Sequence, residues 1–380
     1  VRIARLKYSP RLRGFGPNRP QGNPLRNGLD ERAFLYSDAM PSFRFRLAAL
    51  ALAHLALALP FFAQTPAYKY IRTGNATDST ASPLPGFALM GGGKDLDEAF
   101  RFLCDRSGSG DLLVLRSHGS DDYNPYLKRL CHLNSVATLI IPSRAAAHDP
   151  FVAQTIAHAT AIFIAGGDQG EYVNFWMGTP VQDELNRAIR RGAPIGGTSA
   201  GLAVMGEWSY TSLGDKPDDP NLDGKTAMAD PFGSRITLQQ GFLDIPILKG
   251  VLTDTHFAKR NRMGRLLVFL ARLDTPEGQL VAPGGAKMRG IGIEERAAVL
   301  LEPDGSASVV GHGAAYLVDA TSASGTVAEH TPLTFGPFDV QKIASGHRFN
   351  VKTWNGEATH YTLTVESATI RSTQPGGFVY

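Results

Sequence analysis

Between residues 84 and 205 short apolar runs recur, each set off by glycine or a polar turn and followed by a stretch of helical spacing. The runs are Gly86–Met90, Asp111–Leu115, Val136–Ile141, Ala161–Ala165 and the one that opens at Ala193. Strands apolar at every position, rather than every second one, are covered on both faces, and that is the pattern of a parallel sheet. Between them, Asp95 reads as a helix N-cap ahead of Leu96, Ala99, Phe100 and Leu103. Further helices are expected over Tyr123–Leu133, about Pro150–Ala159, Tyr172–Met177 and Val181–Arg191. The fold class expected is α/β, a doubly wound and mostly parallel sheet. Ligands of such sheets bind at the carboxyl ends of the strands. Here those ends carry the loops Gly91–Lys94, Ser117–Asn124, Gly166–Gly170 and Gly197–Gly201.

After Met205 the pattern loosens. Gly214–Asp230 reads as a surface loop, Ile236–Ile245 and Val251–Thr253 as extended, and Phe257–Leu273 as a basic amphipathic helix. Met288–Leu301 and Ala307–Val318 read as strands that close a main domain over 84–320. Residues 321–380 alternate Thr, Val and aromatics between Gly and Asn-Gly turns, which predicts a small β-rich C-terminal domain appended to it.

The formal charge of +3 is concentrated at the start: residues 1–63 carry ten Lys/Arg against three Asp/Glu, leaving 28 basic and 32 acidic side chains. A body of that balance has no electrostatic case for nucleic acid. Residues 1–39 read as a disordered or over-extended leader, and residues 40–65, a basic start and then the apolar run Leu47–Phe62, as a secretory signal peptide. The expectation is an exported chain, periplasmic or extracellular, with no membrane segment in its mature form. In an oxidising compartment Cys104 and Cys131 pair; otherwise they are two buried thiols.

One run carries a reactive pattern. Gly197-Thr198-Ser199-Ala200-Gly201 is G-x-S-x-G, with a strand expected before it and a helix after it. That is the setting of a nucleophile elbow, in which glycines let the backbone crowd and a serine hydroxyl stands at the bend. The following helix is expected to turn its positive end toward the serine. The hydroxyl needs a base. His256, in Thr253-Asp254-Thr255-His256-Phe257, is best placed, and His118 on a carboxyl-edge loop is its rival. Arg260, Arg262 and Arg265 are either a solvated helix face or a clamp for a substrate carboxylate. Glu294 and Glu295 offer a carboxylate to orient the base, and Gly166-Gly167-Asp168-Gln169 offers backbone N–H groups to an oxyanion beside that of Ala200. Nothing in these motifs calls for a metal or an organic cofactor.

The ordered set G-G-D-Q, G-G-T-S-A-G, D-T-H-F with K-R-N-R-M-G-R-L, and G-I-G-I-E-E resembles the cyanophycinase family of serine peptidases, related to peptidase E and the class I glutamine amidotransferase-like, flavodoxin-like fold. The resemblance spans roughly residues 84–320. It implies Ser199 as nucleophile, His256 as base and Glu295 as third carboxylate, with Gly167 and Ala200 supplying the oxyanion hole. It implies Gln169, Asp254, Arg260, Arg262 and Arg265 as substrate-binding residues. The substrate implied is cyanophycin, poly-aspartate with arginine on each side chain, cut toward β-Asp-Arg dipeptides. Thr255 stands where the family often has Gln, and Glu294-Glu295 replaces its Asp-Glu, so either glutamate is a candidate to orient His256. An exported aspartyl dipeptidase or general peptidase of the same fold and a non-catalytic exported binding module are the alternatives the sequence leaves open, and a homodimer is the assembly it allows.

Overall fold

The computed structural model describes residues 67–215, 218, 221–276 and 288–380. The leader and signal-peptide readings lie outside them. Along the chain come β1 (Lys69–Gly74), β2 (Phe87–Met90), α1 (Asp97–Arg106), β3 (Asp111–Arg116), α2 (Tyr123–Leu130) and β4 (Ser135–Ile140). There follow α3 (Pro150–His158), β5 (Ala161–Ile164), α4 (Gln169–Trp176), α5 (Pro180–Arg190) and β6 (Ile195–Thr198). The apolar runs are strands buried at every position in β2, β4, β5 and β6. They pair in parallel in the order β4-β3-β5-β6-β2, as continuous burial predicts. The edge strand β1, not anticipated from its mixed composition, runs antiparallel to β4.

Caps explain where the helices start. Asp149 and Thr179 accept the N–H groups of Phe151 and Val181, each just before a proline at the first helical position. Asp95 is not the cap of α1; Leu96 holds that place, and the Asp95 carboxylate takes the hydroxyl of Tyr123 at 2.6 Å instead. Cys104 in α1 and Cys131 at the end of α2 form a disulfide. Among the described residues no helix is long and apolar enough to cross a membrane.

The second half departs from expectation, because it builds a second sheet. α6 (Ala200–Ala203), β7 (Trp208–Tyr210), α7 (Gly224–Ala229), β8 (Leu238–Gln240), β9 (Val251–Asp254) and α8 (Met263–Asp274) come first. They lead into β10 (Arg289–Ile293), β11 (Ala297–Leu301), β12 (Ser306–Gly311) and β13 (Ala314–Asp319). The two long strands expected over Met288–Leu301 and Ala307–Val318 are thus each broken. β11 and β12 continue the first sheet beyond β2, whereas β10 and β13 lie in the second, beside β9. Only β7, β9 and β10 pair in parallel there; the other ladders of that sheet are antiparallel.

β14 (Ser324–Thr326), β15 (Thr334–Ala344), β16 (Arg348–Asn350), β17 (Asn355–Gly356), β18 (Thr359–Glu366) and β19 (Thr369–Ser372) complete the chain. They do not form an appendage with a sheet of its own. β15 continues the second sheet from β13, and β16 continues the first from β12. The described residues from 67 onward belong to one compact unit.

The helix expected over Phe257–Leu273 is also different. α8 begins only at Met263, and every residue from there to Leu273 is buried, Arg265 and Arg272 included. A helix covered all round belongs to the core, not to a solvated basic face.

Candidate active site

Ser199 stands between β6 and α6 at φ 53° and ψ −117°, a conformation that L side chains rarely adopt and that the surrounding contacts must enforce. The enforcement is steric. A Cβ on Gly201 would lie 2.0 Å from the carbonyl oxygen of Ile164, and one on Gly197 2.5 Å from the carbonyl carbon of Gly201. The Ser199 N–H donates to Met90 at the end of β2 (3.2 Å), which fixes the bend against the neighbouring strand. α6 is a single turn, so the helix end expected to face the serine supplies individual N–H groups and little macrodipole.

The imidazole arrives from the other sheet. His256 follows β9 at φ 47°, and its N–H donates to Gly91 at 2.7 Å. Phe257 N–H donates to Ile293 (3.2 Å) and Arg296 N–H to Gly92 (2.9 Å). The first of these bonds ties the second sheet to the loop after β2, and the other two hold the flanks of that seam, where the chain passes from β10 to β11. At that seam Ser199 Oγ lies 2.7 Å from His256 Nε2, and His256 Nδ1 lies 2.6 Å from Glu295 Oε1. Burial pushes His256 below its ordinary value of 6.5; the hydrogen bond to Glu295 opposes this, and the charges of Arg260 and Arg262 add to the lowering. The hydrogen bond to His256 holds the Glu295 carboxyl below the usual carboxylate range. Near neutral pH the ring is therefore neutral, with the Glu295 carboxylate fixing the proton on Nδ1 and Nε2 free to accept from the serine.

Glu294 has a different task. Its carboxylate accepts from Tyr316 Oη at 2.7 Å and from the N–H of Ala314 at 3.0 Å, anchoring the start of β13. His118, the rival base, faces Glu171 at 2.8 Å, and Ser117 Oγ donates to the same carboxylate at 2.6 Å.

The serine and imidazole line a cleft of about 420 Å³ together with Gly167, Gln169, Arg260 and Arg262. Gly167 is exposed at the end of β5 and Ala200 is buried beside Ser199. Among the described residues neither N–H has an acceptor in the chain. Arg260 is exposed, and its guanidinium has no partner among the described residues. Arg262 is 5% exposed and held by Thr255 O and Oγ1 (3.0 Å each) and Asn221 Oδ1 (2.9 Å). Burial and the neighbouring Arg265 bring its pKa down to about 9, so it carries its charge at neutral pH. Two of the expected substrate-binding residues do not reach the cleft. Asp254 and Arg265 are each 2% exposed and pair with one another, Arg265 Nε to Asp254 Oδ2 at 2.8 Å, with Arg265 also stacked on Tyr210.

Residues not singled out from the sequence complete the site. A Cβ on Gly92 would lie 2.5 Å from the His256 ring, so the glycine run after β2, legible only as a loop, is what leaves room for the base. Tyr210, Ser212 and Asp215 also line the cleft. Nothing in their spacing marked them: Tyr210 ends the three-residue β7, and Ser212 and Asp215 lie in the turn that follows.

An α/β fold with a serine at a strained strand-to-helix bend, in hydrogen-bonding reach of an imidazole and a carboxylate, defines a serine-type peptidase, a hydrolase. Comparison with known proteins gives the family. The pattern of Peptidase family S51 matches residues 120–271. A cyanophycinase of Geminocystis herdmanii is 31% identical over 222 residues, 57% of this chain and 71% of its own. A cyanophycinase of Synechococcus elongatus is 28% identical over 279 residues, 70% of this chain and 78% of its own. The chain belongs to peptidase family S51, the cyanophycinase family. Among solved structures, a peptidase from an acI-B1 Actinobacterium aligns at 16% identity and a TM-score of 0.45, covering 71% of this chain and 98% of that one.

Proposed function

We propose that this protein is an exported cyanophycinase that cuts arginine-substituted poly-aspartate toward β-Asp-Arg dipeptides. The observation that carries the reading is the chain Ser199 Oγ–His256 Nε2 and His256 Nδ1–Glu295, opening on a cleft lined by Arg260, whose guanidinium has no partner among the described residues. His256 takes the proton of Ser199 as Oγ attacks the aspartyl carbonyl, and Glu295 stabilises the imidazolium. The N–H groups of Gly167 and Ala200 receive the oxyanion. Collapse of the tetrahedral adduct returns the proton to the leaving nitrogen and leaves an ester on Ser199. Water, deprotonated by His256, then releases the acid and restores the serine. Arg260 takes a substrate carboxylate, Gln169 borders it, and Arg262 supports that wall of the cleft. Asp254 and Arg265 act from behind, by holding the segment that carries His256.

Relatives named cyanophycinase support the substrate class. The N-terminal apolar run and the Cys104–Cys131 disulfide support export to an oxidising compartment. Incubating wild type and Ser199→Ala with cyanophycin, and separating the products, tests the reading. Dipeptide release by wild type alone is the expected result. Cleavage of Asp-X dipeptides with the polymer untouched makes the protein an aspartyl dipeptidase, and no hydrolysis of either makes it a binding module.

A further inference from the structure

Asp95 is a largely buried carboxylate to which the reaction described above gives no task. It stands at the end of the loop Gly91–Lys94, one residue before the cap of α1. One oxygen, Oδ2, accepts from Tyr123 Oη at 2.6 Å. The other, Oδ1, is buried and has no hydrogen-bond partner among the described residues. Thr198, the last residue of β6 and the one before the nucleophile, is 4% exposed, and its Oγ1 is buried and unpaired in the same way. The two unpaired groups are neighbours. Burial raises the Asp95 carboxyl above its ordinary value, and the hydroxyls of Thr198 and Tyr123 act against that rise. Tyr123 does so through a well-formed bond, whereas Thr198 is close enough to be felt but falls short of bonding geometry. A hydroxyl and a carboxylate oxygen left unpaired in a dry interior are both costly, and one small movement would satisfy the two together.

Both partners are tied to the catalytic groups. Ser199 N–H donates to Met90, the residue from which the Gly91–Lys94 loop departs. Along that loop a Cβ on Gly92 would lie 2.5 Å from the His256 ring, and one on Gly93 3.2 Å from Glu295 Cβ. The loop that ends at Asp95 is therefore the wall against which the base and its carboxylate rest. On its other flank Thr198 approaches the loop that carries Gly167. A Cβ on Gly166 would lie 3.7 Å from Thr198 Cγ2 and 3.5 Å from Ser199 Cβ. Thr198 is thus wedged between the wall behind the base and the loop of the oxyanion site, with the strained Ser199 next in the chain.

We propose that Asp95 is a positioning residue, taking a hydrogen bond from Thr198 Oγ1 as Ser199 is acylated and so holding the elbow in register with His256. In forming the ester, Ser199 Oγ leaves hydrogen-bonding distance of His256 Nε2 for covalent distance of the substrate carbon, and the elbow shifts with it. No proton changes hands between Thr198 and Asp95. Bonds of this kind are often long in an unliganded site and tighten only with substrate. One made in the transition state and not before lowers the barrier without tightening binding, so its effect falls on kcat. The inference rests on Ser199 as the nucleophile and not on which peptide is cut.

The test follows the rate at which a fluorophosphonate labels Ser199 in the full chain, with melting temperature and cyanophycin hydrolysis measured alongside. Thr198→Val keeps the shape of the side chain and removes the hydroxyl. Its labelling should slow on the order of 10–100-fold, the loss expected for a hydrogen bond to a charged acceptor. On cyanophycin its kcat should fall in parallel while KM holds within about twofold. It should melt no lower than wild type, because the hydroxyl removed has no partner at rest. Thr198→Ser, which restores the hydroxyl, should label within about threefold of wild type. Asp95→Asn takes the charge from the acceptor and should also slow labelling. The double variant should be no slower than the slower single one, because both changes delete the same bond. Labelling of Thr198→Val at the wild-type rate, or losses in the two single variants that multiply in the double, overturns the proposal. A melting temperature lowered by Thr198→Val would show a bond already made at rest, and overturns it equally. Wild type unlabelled on Ser199 removes the nucleophile and this proposal with it. Wild type that is labelled but leaves cyanophycin uncut removes the substrate reading alone, and the labelling rates still decide the role of Asp95.

Discussion

Among the described residues Asp254 and Arg265 are some of the most buried charges, while Arg260, on the same segment, stands in solvent with no partner for its guanidinium. The first pair is engaged entirely within the protein, with Arg262 Nη1 3.8 Å from the same carboxylate and Arg265 also donating to Leu222 O (3.1 Å) and stacking on Tyr210. Such a pair brings little net stability but is severe to break, because the survivor is left charged and dry. The second region keeps its charges open to whatever enters the cleft. One short run of sequence thus builds both the foundation under His256 and the surface that meets substrate. The arginines of the K-R-N-R-M-G-R-L motif are not interchangeable members of a clamp.

Five substitutions sharpen that contrast. The largest effect is expected at Glu295→Gln, which leaves the fold intact and removes the charge that orients His256; kcat should fall on the order of 10³–10⁴-fold. Glu294→Gln, one residue away, should spare kcat within a few fold and lower the melting temperature instead, since it weakens the Tyr316 and Ala314 bonds. Next comes Asp254→Ala, which strands the Arg265 guanidinium and should cost about 3–5 kcal/mol in a denaturant titration. Its dominance in stability, not in KM, would distinguish foundation from binding surface. Gly92→Ala forces the imidazole aside at 2.5 Å and should lose about 100-fold in kcat with a smaller loss of stability, because misplacement alone carries that cost. Smallest is Arg260→Ala: no change in melting, and KM raised on the order of tenfold.

That last variant also has a pH signature. The activity of wild type depends on neutral His256, so kcat/KM should fall as pH drops through a value below 6.5 and stay level above it. Arg260 contributes to the lowering, so its removal raises the His256 pKa and moves the acid limb toward higher pH. A limb that stays in place would place the charge of Arg260 too far from the ring to matter.

The first sheet was legible because β2 to β6 each carry a nearly continuous apolar run, a pattern that admits few other folds. The elbow was legible because Gly197 and Gly201 are required by contacts made within a few residues or with the adjacent strand. The second sheet was not, although β7, β9, β10 and β13 are themselves buried along nearly their whole length. Its strands are scattered along the chain, only β15 and β18 alternate, and the breaks at Glu294–Arg296 and near Gly311 that send the chain from one sheet to the other carry no proline or long loop to announce them. For the same reason the two glutamates could not be told apart by spacing: they flank a turn, and the direction of each is set by partners distant in sequence, His256 for one and Tyr316 for the other. Burial of α8 was hidden by its arginines, which read as a solvated face until Asp254 supplied a partner for Arg265.

The central claim is that one hydroxyl, Ser199 Oγ, is made nucleophilic by His256. Labelling wild type and His256→Ala with a fluorophosphonate, followed by mass mapping of the adduct, measures this directly. The account predicts a single adduct on Ser199 in wild type, forming at a rate that falls as pH drops through the His256 ionisation, and little or none in His256→Ala. Labelling at equal rates in both proteins, or an adduct on a different residue, would contradict it.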